Sequence, residues 1–297
     1  MQRYIDIFLG SFGQYWRYLS HEVLHPDWNN YFYWLIGLSL IFWMLEIVFP
    51  WRKEQKWIRQ DFFLDAFYMF VNFFLFSLVG FFAISNVVVT LFNDGLGLLG
   101  ITNGIAVEVH ALPLWLKLIF AFVLKDFIAW NTHRLLHTNR FLWQFHKVHH
   151  SVKQMGFAAH LRYHWMENVV YKSIQYIPLA MLGFGINDYL MANMLALTIG
   201  HFNHANVNLP LGPLKYIFNN PQMHIWHHAK DLPANMPYGV NFGISLSLWD
   251  YLFRKNYIPY SGRDIELGFP GDEDFPRDFM HQEIYPAASH EKEPHSP

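Results

Sequence analysis

The chain has 297 residues, no cysteine and a formal net charge of -2, and 53% of its residues are hydrophobic, 19% aromatic and 15% charged. The lack of cysteine excludes disulfides and thiolate metal ligands, and the near-neutral charge implies no nucleic-acid partner. The apolar share exceeds the roughly 45–50% of ordinary soluble domains and gathers in long runs, so a membrane protein is expected.

Residues 1–30 read as an N-terminal interfacial segment. The opening MQRYIDIFLGSFGQYW has no basic segment followed by a long apolar core and a small-residue cleavage site, so no cleaved signal peptide is expected. Residues 31–49 are interrupted only by Glu46, and residues 62–92 only by Asp65. A bilayer core needs roughly 20 apolar residues as a helix, so both are candidate spans. Residues 112–130 are a third candidate, with Lys117, Lys125 and Asp126 inside it and the lysines expected to snorkel to the headgroups. Residues 169–200, broken by Lys172, Pro178 and the stretch 183–188, predict two short helices that dip into or cross a thin part of the membrane.

Arg52, Lys53, Lys56 and Arg59 follow the first span, and no further Lys or Arg appears before Lys117. The positive-inside rule then puts the 51–60 loop in the cytoplasm and the 93–111 loop on the opposite side. Residues 31–262 thus read as one membrane-embedded domain with its core at 115–256. Residues 263–297, rich in Pro, Asp and Glu, read as a poorly ordered tail. The expected fold class is an all-α integral membrane protein, with about four transmembrane or re-entrant helices and a cytosolic helical cap.

The cap is where chemistry concentrates. His133 and His137 stand in HRLLH, His146, His149 and His150 in HKVHH, and His224, His227 and His228 in HIWHH. Spacings of three and four put side chains on one helix face, roughly 5–6 Å apart at Cβ. Thr138, Asn139 and Arg140 mark a helix stop and bend between the first two boxes, and Pro221 suits a helix start before the third. Imidazole suits iron, zinc and copper, and eight such groups can hold two metal ions. A lone HxxxH is by default a polar helix face, but burying eight imidazoles without metal would leave many polar atoms unpaired.

Between the boxes, GHFNHANVN carries His201 and His204, and HLRYHWMEN carries His160, His164 and Glu167. His204 is the first choice for an additional ligand and His164 the second, with Glu167 either a ligand or an acceptor for a ligating imidazole. His160 reads as an ordinary interfacial histidine. Asp126, Glu167, Asp231 and Asp250 are candidates to orient ligating rings, each with a salt bridge to a nearby base (Lys125, Lys230 or Arg254) as the plain alternative.

The order HxxxH, HxxHH, HxxHH resembles the fatty acid hydroxylase superfamily, also called the sterol desaturase family, particularly its alkylglycerol monooxygenase-like and bacterial sterol desaturase-like members. LGPLKYIFNNPQMHIWHH and VNFGISLSLWDYLF, with Asn241, Gly243, Trp249 and Asp250, are similar to segments around that family's last box. His204 falls where the family places an additional histidine. His164 with Glu167 is similar to a sterol-type motif, although Trp165 stands where a proline usually follows. The resemblance covers roughly residues 115–256 and implies a membrane-bound non-haem diiron oxygenase. Such an enzyme would hydroxylate or desaturate a fatty acyl, alkyl or sterol-like lipid with O2. The implied metal ligands are His133, His137, His146, His149, His150, His164, His204, His224, His227 and His228, holding two iron ions.

No haem module or flavin fingerprint is visible, so electrons are expected from a separate cytochrome b5-like protein or ferredoxin. Arg134, Arg140, Lys147 and Lys153 offer a surface for an acidic redox partner or for anionic lipid headgroups. The expected location is a bacterial inner membrane or the endoplasmic reticulum, with the metal site facing the cytoplasm. Two rival readings remain open at this point. A zinc-dependent membrane hydrolase lacks its usual HExxH here, and a non-enzymatic membrane metal-binding protein or transporter would place ligands inside the spans.

Overall fold

The computed structural model describes residues 1–27, 30–71, 81–100 and 109–286. Helices dominate. α1 (Gln2–Leu24) packs on α4 (Phe81–Leu98), and α2 (Tyr31–Val48) packs on α8 (Ile186–His204). α5 (Leu114–Thr138) lies against both α7 (Trp165–Met181) and α8, and α9 (Pro221–His227) closes over α8. α3 (Phe62–Phe70), α6 (Arg140–His150), α10 (Leu248–Leu252) and α11 (Phe279–Ile284) complete the helices used below. Among the described residues, β structure is limited to isolated bridges at Pro50–Val207, Phe218–Leu246 and Ala229–Leu267.

Local chemistry sets the element ends. Asn30 starts α2 by accepting from the Phe32 and Tyr33 amides, and Asn139 starts α6 by accepting from those of Phe141 and Leu142. The expected bend at 138–140 is therefore a helix stop followed at once by a capped start. The 169–200 region forms two helices joined near Gly183, whose φ of 81° suits glycine. They are longer than the short helices expected, because α7 continues through Pro178 and α8 runs on to His204.

Among the described residues, no helix is long and apolar enough to cross a membrane. This departs from the expected spans at 31–49, 62–92 and 112–130. The 18 residues of α2 rise only about 27 Å, just short of a hydrocarbon core of about 30 Å. The 62–92 run splits into α3 and α4, with residues 72–80 outside the described residues. α5 carries charge on its inner side, and its lysines do not snorkel: Lys117 pairs with Asp188 at 2.8 Å, and Lys125 is buried.

Asp65, the one charge in the 62–92 run, is fully buried in an ionic knot. It pairs with Arg59, and with Arg162 at 3.2 Å, while Asp61 lies 3.3 Å from the same guanidinium. Removing one partner of a buried pair strands the other charges, at a cost of roughly 3–5 kcal/mol. Asp65→Ala is accordingly expected to unfold several degrees or more below the parent in a thermal melt. An unchanged transition would mean that the knot contributes nothing.

Residues 263–286, expected to be poorly ordered, are instead folded against the cap, and 287–297 lie outside the described residues. Composition misleads here because Asp272 is paired and Leu267, Phe269 and Phe275 are buried. Phe269 and Phe275 join a core with Tyr68 and Val148. Asp272 pairs with Lys153, Tyr68 donates to Gln282 at 2.9 Å, and the Gly268 amide donates to the His228 carbonyl at 3.1 Å.

Candidate metal centre

Four helices deliver the histidine boxes to one place. His133 and His137 come from the last turns of α5, and His146, His149 and His150 from α6. α8 brings His204. α9 begins with Pro221 at its first turn and the Asn220 side chain accepting from the Met223 amide. It carries His224 and His227, while His228 already sits at its C-cap, so the last box leaves the helix at its final residue.

The nine rings form two adjoining groups. His133, His137, His146, His150 and His227 offer ring nitrogens within 4.8 Å of one another, and so do His149, His204, His224 and His228. The two groups touch: the His150 and His228 rings stack at 4.4 Å, and those of His149 and His228 lie 4.6 Å apart.

Acceptors placed behind the rings fix their tautomers. Nδ1 donates to the Phe242 carbonyl from His133 (2.8 Å), to the Arg162 carbonyl from His149 (3.0 Å), to the Gly200 carbonyl from His204 (2.8 Å) and to the Val240 carbonyl from His227 (2.8 Å). His146 donates to Glu167 Oε2 at 2.7 Å. In each ring Nε2 is left as the lone-pair atom aimed inward, the arrangement by which carbonyls and carboxylates orient metal-binding imidazoles. Burial keeps the rings neutral, pushing His133 down to about 4 and His149 to about 3, and holding His146, His204 and His227 well below the usual range.

This arrangement leaves lone pairs facing one another. The Nε2 atoms of His133 and His146 are 3.1 Å apart, and those of His204 and His224 are 3.0 Å apart. Nε2 of His137, His150 and His227 and Nδ1 of His224 and His228 are buried with no hydrogen-bond partner. Unpaired polar atoms in such number are costly without a cation to satisfy them. The donor set, all neutral imidazole, fits a pair of borderline transition metals such as iron, zinc or copper.

Other candidates fall outside both groups. His164 immediately precedes α7, and its Nδ1 accepts from the Met166 amide at 3.1 Å while its ring packs on Phe145. It caps the start of α7 through Nδ1, its buried Nε2 has no hydrogen-bond partner, and it lies outside both groups. His201 meets Ser39 and His160, each at 3.2 Å, and belongs to neither group. Glu167 has the orienting role, as acceptor for His146. Asp126 and Asp250 orient no ring directly. Asp126 accepts from the Ser245 and Leu246 amides and from Trp249, and Asp250 accepts from the Phe242 and Gly243 amides and from Trp130. Together they pin the loop whose Phe242 carbonyl holds His133. Asp231 is exposed, and the neighbouring Lys230 pairs with Glu266, Asp272 and Glu273. Of the basic residues expected to dock a partner, Lys147 donates to Gln144 at 2.7 Å and Lys153 is spent on Asp272.

Sequence reasoning missed the carbonyls behind the rings, because a backbone acceptor has no residue signature. A faint signal exists at Gly239, whose φ is 130° and where a Cβ would lie 3.2 Å from His137 Nδ1. Only glycine lets that loop pass so close to the site.

Comparison with known proteins agrees with this geometry. The family model described as fatty acid hydroxylase matches residues 118–255. The ornithine lipid hydroxylase OlsE of Rhizobium tropici is 31% identical over 159 residues, covering 54% of this chain and 47% of that protein. The alkylglycerol monooxygenase of Caenorhabditis elegans is 28% identical over 142 residues, 46% of this chain and 26% of that one. Human fatty acid hydroxylase domain-containing protein 2 is 31% identical over 158 residues, 52% of this chain and 44% of its own. The chain thus spans less than half the length of these curated relatives, and no solved structure matches it. All nine grouped histidines fall within the segment that the fatty acid hydroxylase family model matches.

Proposed function

We propose that the protein is a membrane-embedded non-haem diiron oxygenase that hydroxylates a lipid, using O2 and electrons from an external donor. The observation that carries this reading is the pair of adjoining histidine groups, five and four neutral rings with inward lone pairs. Relatives named as lipid hydroxylase and monooxygenases favour hydroxylation over desaturation.

His133, His137, His146, His150 and His227 would hold one iron, and His149, His204, His224 and His228 the other. When bound, the iron pair supplies activation of dioxygen and removal of hydrogen from an unactivated C–H bond. The chain's own residues do the rest. Carbonyls of Val240, Arg162, Gly200 and Phe242 and the Glu167 carboxylate keep five rings in one tautomer. Burial of every ring excludes bulk water, and a cavity of about 140 Å³ bordered by His133, His146, His149, His204 and His224 gives a substrate access to them.

Membrane embedding is supported by the outer surface. α1 exposes Leu9, Phe12 and Trp16, α2 exposes Leu40, Ile41 and Met44, and α5 exposes Trp115 and Ile119. Exposed apolar residues in this number fit a lipid-facing surface. The basic 51–60 segment favours a cytoplasmic site, in a bacterial inner membrane or the endoplasmic reticulum, where a cytochrome b5-like protein or ferredoxin could deliver electrons. The test is mass spectrometry of lipids from cells with and without the gene, grown under 18O2. A lipid class gaining one labelled oxygen only with the gene supports hydroxylation. A new double bond without label would mean desaturation, and identical lipid profiles would count against an oxygenase.

A further inference from the structure

The cavity beside the histidines is mostly apolar in surface but is not lined by hydrocarbon alone. Leu161, Ala196, Leu197 and Ile244 line part of it, but Lys125, Tyr163, Tyr171, Gln175, Tyr189 and Asn193 line the rest.

Lys125 is the least expected of them. It is 5% exposed, deep on α5, and its ammonium lies 5.7 Å from the centre of the Tyr189 ring. Asp126, beside it in sequence, attracts it through space but forms no ion pair with it and is hydrogen-bonded to Ser245, Leu246 and Trp249. The other lysine of α5, Lys117, has its own partner in Asp188 at 2.8 Å. Glu167, the carboxylate that lines the same cavity, is bonded to His146. Among the described residues, no carboxylate forms an ion pair with Lys125. An ammonium taken out of water with no carboxylate in direct contact is costly, and here it borders a cavity able to admit an anion.

Size limits where the reacting carbon can be. A cavity of about 140 Å³ is close to one that holds a single benzene, so only a short fragment fits between the ammonium and the histidines. Lys125 and His133 are eight residues apart on α5, about 12 Å along the axis. We infer that Lys125 binds an oxyanion of an amphiphilic substrate, a carboxylate or phosphate ester, and thereby presents to the histidines a carbon within a few bonds of that group. This assignment rests on the oxygenase reading above and narrows it: oxidation falls near the polar end of the lipid, not far along its chain.

The test uses the full chain in neutral detergent, with iron content measured on each batch. Calorimetric titration compares dodecyl phosphate with dodecanol, and inorganic phosphate serves as competitor. The wild-type protein is expected to bind dodecyl phosphate about ten-fold or more tighter than dodecanol, the size of one charge-assisted hydrogen bond. Inorganic phosphate at equal concentration is expected to displace little, because it lacks the chain. Lys125→Met is expected to lose the preference while binding dodecanol as before with unchanged iron content. Equal affinity of the wild type for the two amphiphiles overturns the assignment without need of the variant. So does a preference that survives in Lys125→Met, and displacement by inorganic phosphate at parity overturns the choice of a lipid. A protein that shows the preference yet binds no iron keeps the anion site and loses only the oxygenase reading.

Discussion

His227→Ala is expected to abolish turnover and to lower bound iron, while the helix content by circular dichroism stays near that of the parent. His227 lies at the centre of the five-ring group, with its ring 4.4 Å from that of His133 and 4.8 Å from those of His137 and His150. Its Nδ1 is committed to the Val240 carbonyl, and its Nε2 is buried without a partner. Alanine removes an inward lone pair that no neighbouring side chain replaces. Loss of a partner one shell beyond the ligands typically costs 10–100-fold, so loss of the ligand itself is expected to cost about 100-fold or more. His149→Ala, in the four-ring group, is expected to do the same, since both groups serve one reaction. His281→Ala is the matched control, because that histidine is exposed, lies outside both groups and pairs with Asp278. Full turnover in His227→Ala or His149→Ala would remove that ring from the ligand set.

Glu167→Ala is the second large effect. Glu167 accepts the His146 Nδ1 proton at 2.7 Å and is almost wholly buried, as is His146. Without that acceptor the His146 ring is free to rotate or to exchange tautomers, which would turn an N–H toward the site in place of a lone pair. Iron affinity or turnover is expected to fall about 10–100-fold. Glu167→Gln keeps a carbonyl oxygen able to accept from Nδ1, and is expected to recover most of the loss. A purely packing role would leave the two variants alike, so the difference between them in an iron titration decides the point.

Much of the site was legible in the sequence because its signal is periodic. HRLLH and HKVHH each place their histidines on one face of a helix that did form, and the 138–140 bend and Pro221 marked the breaks between elements. His204, the first choice for an additional ligand, lies in the four-ring group. His164, the second choice, lies outside both groups, directly before α7, where it accepts from the Met166 amide, a placement that spacing does not reveal. The acidic residues were harder to read. Asp126 and Asp250 act two steps away, by pinning the loop that carries the Phe242 carbonyl, and sequence distance says nothing about that route.

The fold was legible in class and less so in extent. Composition predicted helices and the structure is helical, but hydropathy counted Asp65 and Lys125 as interruptions of spans when both are buried inside the protein. A charge facing a partner or a cavity inside a bundle looks the same in a linear count as one facing lipid. The 263–286 segment failed for the opposite reason. Its acidic residues suggested solvent, yet Asp272 and Gln282 are partnered by Lys153 and Tyr68 contributed from far upstream, pairings that local composition cannot register.

The most direct measurement is metal stoichiometry on protein purified without an affinity histidine tag, by elemental analysis with Mössbauer spectroscopy of 57Fe-grown material. Two irons per chain, in coupled histidine-rich sites lost together in His149→Ala and His227→Ala, is the expected outcome. A single iron, stoichiometric zinc, or protein that folds fully with no metal would mean that the nine inward-facing rings do not form a two-iron centre.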